Sequence, residues 1–244
     1  MARANQIQFS NSKKQLAVLV DPDKASEAHL SALVETCVAN KVDYFFVGGS
    51  LMVSGDLSET LSFLKAHSDI PCILFPGSFN QVDAQADAIL MLSLISGRNP
   101  ELLIGEHVKA APFIAQAGLQ TIPTGYLLIE GVTSNTALYM SQSLPIPMSK
   151  PEISGVTALA GTMLGLQNIY IDAGSGADRF VPVEHIKAVK STTEVPLICG
   201  GGVQSKKDAE VLYAAGADVV VVGNVLEDNP ALVASISEAR FSVV

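Results

Sequence analysis

The chain has no tryptophan, three cysteines and only 16% charged residues. Each shortage removes a class of protein. Cys37, Cys72 and Cys199 form no CxxC pair and no Cys/His cluster, which excludes a zinc module and a disulfide framework, and an odd number of thiols suits a reducing compartment. They read as ordinary buried thiols. Cations are scarce too: Lys and Arg total 15 against 24 Asp and Glu, a net charge of −9. That argues against general affinity for nucleic acid or an anionic membrane surface, while leaving room for a local cationic or amide-lined pocket that holds an anion. No apolar run approaches the roughly 20 residues needed to span a bilayer. The start "MARANQIQFSNSKKQ" lacks the apolar stretch of a signal peptide, so the expectation is a cytoplasmic protein. With 48% hydrophobic residues, disorder and coiled coil are excluded as well.

Glycine is plentiful, at 19 residues, and it punctuates short apolar runs. These are "LAVLV" 16–20, "YFFV" 44–47, "CILF" 72–75, "AILML" 88–92, "TIPTGYLLI" 121–129, "IYI" 169–171, "PLIC" 196–199 and "VVVV" 219–222. Continuous apolar character without alternation is what strands buried on both faces show. Helical patterns at 26–41, 57–68, 182–192 and 205–216 lie between them, and the repeated βα order implies a parallel sheet with right-handed crossovers. About eight strands in 244 residues favour a single-domain (β/α)8 TIM barrel over an open doubly wound sheet.

Two intervals depart from that rhythm. "FPGSFNQVDAQADA", 75–88, is short for a full βαβ crossover, so one outer helix is expected to be missing or vestigial after strand 3. From Gly131 to Gln167 there is excess chain, enough for two helices split at "LPIPMSKP". The second, "EISGVTALAGTMLG", is apolar nearly all round and is expected to be buried.

Gly-rich turns follow the last three expected strands: "DAGSGAD" 172–178, "GGGV" 200–203 and "GN" 223–224. In a barrel they share the C-terminal rim, where backbone N–H groups converge on a phosphate. Each alone is explained equally well as a tight βα turn; three successive ones favour phosphate binding. After the first strand comes "VDPDKAS". Asp21 suits Mg2+, which takes one or two carboxylates with waters and substrate phosphates. Capping and solvation of a helix start by Asp23 and Lys24 is the plainer reading of this turn, but "VGGS" places Ser50 beside Asp21 on the rim. Asp172 is a candidate acceptor of a hydroxyl proton, or an Asx-turn residue. Tyr126 and Tyr170 line a substrate pocket or simply pack the barrel. His29, His67, His107 and His185 fall on expected outer helices without metal-like spacing and are assigned surface or packing roles.

In order, "LVDPDK", "FVGGS", "GYLLIEG", "YIDAGSGAD", "GGGV" and "VGN" resemble the geranylgeranylglyceryl phosphate synthase family of prenyltransferases over nearly the whole chain. "AGSGA" and "LISGRNPELLIGEHVKAAP" look like its second branch, found in archaea and some bacteria; other branches typically carry Lys where Leu19 stands. The resemblance implies a modified (β/α)8 barrel lacking one outer helix, and Mg2+-assisted joining of a polyprenyl diphosphate to sn-glycerol 1-phosphate. It maps metal binding onto Asp21 and Ser50. Glycerol phosphate maps onto Tyr170, Ile171, Asp172, Ala173, Gly174, Ser175, Gly176, Ala177, Gly201, Gly202, Gly223 and Asn224, with Asp172 catalytic in place of the family's usual Glu. Tyr126 is the prenyl-binding candidate. The resemblance further implies a homo-oligomer, dimer or hexamer, and peripheral delivery of product to a membrane. The competing readings are another phosphate-binding TIM-barrel enzyme, such as a sugar-phosphate isomerase or synthase, and a non-catalytic phosphometabolite-binding barrel.

Overall fold

A computed structural model describes residues 6–131 and 136–242. Residues 1–5 of the start quoted above lie outside the described residues. Eight parallel strands close into a barrel in chain order: β1 Gln15–Val20, β2 Tyr44–Val47, β3 Cys72–Leu74, β4 Ala88–Leu94, β5 Gln120–Leu128, β6 Asn168–Asp172, β7 Leu197–Gly200 and β8 Val219–Val222. Closure is made by β1 on β8, with Ala17 opposite Val221. The strands read as unbroken apolar runs because both faces are covered. In β1, Leu16, Val18 and Val20 face the helices while Ala17 and Leu19 face the barrel axis; in β2, Phe45 and Val47 point out and Tyr44 and Phe46 point in.

The outer layer holds α1 Glu27–Ala39, α2 Leu57–His67, α3 Glu106–Ala117, α4 Thr136–Ser141, α5 Pro151–Met163, α6 Val183–Lys190, α7 Lys206–Ala215, α8 Asn224–Asp228 and α9 Leu232–Ser242. Side-chain oxygens of Ser26, Asp56 and Ser205 accept from the third residue beyond them and start α1, α2 and α7. Between β3 and β4 there is no helix. That connection is held by side chains instead. Gln81 is buried; its Oε1 accepts from Gly77 N at 2.8 Å and its Nε2 donates to Gly49 O at 3.3 Å. Asp87 Oδ2 accepts from Cys72 N at 2.9 Å. The excess chain after β5 forms α4 and α5 on either side of the proline-rich split, and Ile146 from that split pairs with Ile129.

One expectation fails. Helix α5 is not buried all round: Val156, Met163 and Leu164 beside it are 61%, 76% and 83% exposed. Its buried stripe is Ser154, Gly155, Ala158 and Gly161. Small residues let the backbone sit close, so much so that a Cβ on Gly155 would lie 2.9 Å from Ala188 O, and the larger apolar side chains are turned outward. Among the described residues no helix is long and apolar enough to cross a membrane.

Candidate active site

At the C-terminal mouth of the barrel lies a polar cavity of about 470 Å3. The turns after β1, β2, β6, β7 and β8 meet there. Asp21 and Ser50 line one side; Tyr170, Asp172, Ser175, Gly176 and Ala177 line the other, with Gly201, Gly202, Gly223 and Asn224 between. Period-2 alternation turns the side chains of two of the sequence candidates away from the cavity: Ile171 and Ala173 point into the layer between strands and helices. Gly174 is off the cavity wall as well, and its N–H donates to Asp172 Oδ1 at 2.7 Å.

Asp172 ends β6, its side chain buried at 6% exposure. Its other oxygen, Oδ2, accepts a hydrogen bond from the Tyr126 hydroxyl. Burial pushes the Asp172 carboxyl above its ordinary range, against the opposing pull of the Tyr126 and Gly174 bonds. Burial and the neighbouring carboxylate push Tyr126 well up in turn, so the tyrosine stays a donor. Gly201 has φ +78°, and a side chain there would collide with Asp172 Oδ1. Only glycine lets the β7 turn close over the carboxylate.

Asp21 is half-buried, and burial raises its carboxyl. Its Oδ1 accepts from Asp23 N at 3.1 Å, starting the short turn Pro22–Lys24. The capping role and the cavity-facing position coexist. The Cβ position of Gly49 is 3.6 Å from Asp21 Oδ1, so the strand end carrying Ser50 passes directly against this carboxylate. Asp23, read from sequence as a helix-start residue, does something else. It accepts from Val53 N at 2.8 Å, Ser54 N at 3.0 Å and Gly55 N at 2.6 Å, and these bonds hold its carboxyl below the usual range. A side chain on Gly55 would collide with Pro22. Asp23 therefore locks the loop after Ser50 onto the loop after Asp21.

Among the described residues no group of three or more His, Cys, Asp and Glu is placed to hold a metal. One carboxylate with a neighbouring hydroxyl on a cavity wall is nonetheless the donor set Mg2+ uses when substrate oxygens and water complete its shell.

A second, apolar space of about 180 Å3 opens off the polar cavity. Gly49, Ser50, Phe75 and Tyr126 line both. It continues past Leu90, Leu92, Leu102, Ala110 and Ile114 toward Met140, through the side of the barrel where β3 and β4 lack a helix between them. At the junction Tyr126 stacks on Tyr170, centroids 5.2 Å apart, and Phe75 lies 5.3 Å from Tyr170. Sequence reasoning missed Phe75 and the groove wall, although the helix-poor interval 75–88 was their signal. His107 also lines this groove; its outer-helix assignment holds, but α3 turns it inward. His185 is a fully buried packing residue, bonded to Ser154 Oγ at 2.8 Å and Met148 O at 3.0 Å.

The fold and site define the class: a parallel (β/α)8 barrel with a backbone-lined polar cavity at its C-terminal rim that opens into an apolar groove. Residues 9–240 match the PcrB family, and the chain belongs to it. It is 46% identical to geranylgeranylglyceryl phosphate synthase of Chitinophaga pinensis over 226 residues, 93% of this chain and 90% of the relative. The namesake from Pyrococcus horikoshii is 38% identical over 229 residues, 93% and 88% of the two chains. The crystal structure of (S)-3-O-geranylgeranylglyceryl phosphate synthase from Thermoplasma acidophilum, in complex with sn-glycerol-1-phosphate, superposes with a TM-score of 0.88 at 29% identity, covering 95% of this chain and 94% of that one.

Proposed function

We propose that this protein is a geranylgeranylglyceryl phosphate synthase, joining the allylic carbon of a polyprenyl diphosphate to the free primary hydroxyl of sn-glycerol 1-phosphate. The observation that carries this reading is the shared wall: Gly49, Ser50, Phe75 and Tyr126 border both the polar cavity and the apolar groove. An acceptor phosphate and a hydrocarbon tail thus meet at one point. Bare backbone at Gly201, Gly202 and Gly223, with Ser175 and Asn224, whose side chains lie 3.2 Å apart, suits a phosphate. The tail runs along the groove toward Met140.

The chemistry follows from charge. Bond breaking leaves a diphosphate anion and cationic character on the allylic carbon. Mg2+ bound by Asp21 and Ser50 would neutralise charge on the departing diphosphate. The faces of Tyr126, Tyr170 and Phe75 are placed to stabilise the cationic carbon. Asp172, desolvated and therefore more basic than an ordinary carboxylate, orients the acceptor hydroxyl and takes its proton as the C–O bond forms. Tyr126 and Gly174 keep that carboxylate in one orientation, which is the positioning such a reaction needs. Self-association through the exposed apolar residues of α4 and α5, including Tyr139 and Val156, a cytoplasmic location and delivery of product to a membrane surface complete the proposal.

The test is ether formation from sn-glycerol 1-phosphate and a chain-length series of polyprenyl diphosphates, with and without Mg2+. Metal-dependent product selective for the 1-phosphate over sn-glycerol 3-phosphate is expected. Absence of product with every donor refutes the reading.

A further inference from the structure

Resting on that reading, we infer that Lys24 is the side-chain cation that receives substrate phosphate oxygens in this cavity, and that Glu227 holds its ammonium in place until they arrive. Among the described residues lining the cavity, Lys24 is the one cation; Asp21, Asp172, Asp178, Glu227 and Asp228 are all acids. Two anionic substrates therefore enter a space whose charged side chains are five acids and one lysine. Backbone amides supply direction and partial charge, but among the described residues lining the cavity only Lys24 carries a full positive charge.

Its placement fits the task. Lys24 closes the turn begun by Asp21, and its N–H donates to Asp21 O at 3.0 Å. The Cα is thus fixed beside the candidate metal ligand, while the four-carbon stem stays free to move. The ammonium pairs with Glu227 at 2.8 Å to Oε2 and 3.0 Å to Oε1. Glu227 belongs to α8, which begins at Asn224 immediately after Gly223. The pair therefore spans from the Asp21 turn to the Gly223–Asn224 turn, between the two places where phosphate oxygens are proposed to lie. Lys24 is 45% and Glu227 27% exposed at the side chain. A pair this solvated is weak, and a phosphate carrying more than one charge displaces a single carboxylate from it. A lysine used as a mobile point charge also suits an anion that shifts as its bond breaks.

A purely structural strap between the two turns makes the opposite forecast, because it is broken equally from either end. The experiment is calorimetric titration of the wild type, Lys24→Met and Glu227→Gln, once with sn-glycerol 1-phosphate and once with inorganic pyrophosphate and Mg2+. Melting temperatures are recorded beside each, and Lys24→Arg serves as the charge-retaining control. Lys24→Met is expected to lose at least tenfold in affinity for one or both ligands. Glu227→Gln is expected to keep or gain affinity for the same ligand, and Lys24→Arg to stay within a few fold of wild type. The ligand that suffers identifies which phosphate Lys24 meets. Binding of both ligands within twofold of wild type by Lys24→Met, or equal losses in Lys24→Met and Glu227→Gln, overturns the assignment while leaving the proposed function standing. If the wild type binds neither ligand, the function and the assignment fall together.

Discussion

Around β6, β7 and β8 the barrel rim is made of backbone, with glycines at 174, 176, 201, 202 and 223 and a single buried carboxylate in their midst. Across β2 to β5 it is made of apolar side chains, and between β3 and β4 the outer helix is absent. The first half is rigid by close approach, since Gly201 leaves no room between its turn and Asp172. The second half is open by omission. One barrel thereby presents a polar, backbone-lined cavity and an apolar trough, and among the described residues the two share a wall only at Tyr126, Phe75 and the Gly49–Ser50 turn.

The sharpest way to break the polar half is Asp172→Asn. It is expected to lower kcat by about 10²–10⁴, with a much smaller change in the KM for glycerol phosphate; an effect confined to KM would make Asp172 a binding residue. The pH profiles sharpen the same point. Because burial raises the Asp172 carboxyl, the acid limb of the wild-type rate should lie above the ordinary carboxylate range and vanish in Asp172→Asn. Stability moves the other way. A carboxyl raised on folding contributes stability below its unfolded pKa and loses that contribution as pH rises through the folded value. At neutral pH the neutral Asn should therefore melt higher than the wild type, as thermal unfolding across pH would reveal.

Next in size is Asp21→Ala, expected to reduce Mg2+-dependent transfer by about 10²–10³ with an unchanged circular dichroism spectrum. Unaltered turnover would remove Asp21 from the mechanism. The apolar half is tested by Ala110→Phe, which places a ring in the groove wall. Relative turnover should shift toward shorter donors, at about 0.8 kcal/mol for each methylene denied burial, while glycerol phosphate affinity stays level. An unchanged donor series would mean that the tail lies elsewhere. The smallest effect is expected from Asp23→Asn, which weakens the three amide bonds to Val53, Ser54 and Gly55. Faster hydrogen exchange at those amides and a few-fold higher Mg2+ requirement are the forecast, with the glycerol phosphate KM unmoved.

Much of the barrel is legible in the sequence. The apolar runs at 16–20, 44–47 and 219–222 fall inside β1, β2 and β8 because a strand covered on both faces has no reason to alternate. The missing helix was readable as well, since 75–88 is too short to cross, turn and return. The glycine turns marked the polar cavity because bare backbone recurs at consecutive strand ends. Other features were not visible in this way. Helix α5 looked buried because its composition is apolar, yet its small residues face inward and its large ones outward. Asp23 looked like a capping residue because its partners at 53–55 are some thirty positions away.

Local sequence therefore carried the strand order, the short crossover and the conformational demands of the turns, since each depends on the chain's own length, periodicity and backbone sterics. Which candidates meet was decided only on closure of the barrel. Alternation along β6 turned Asp172 inward and Ile171 outward, the register of β5 on β6 set Tyr126 opposite Tyr170, and the gap after β3 became a groove because α3 and α4 border it without filling it. Those are relations between segments far apart in the chain, and no local preference encodes a distance across a barrel.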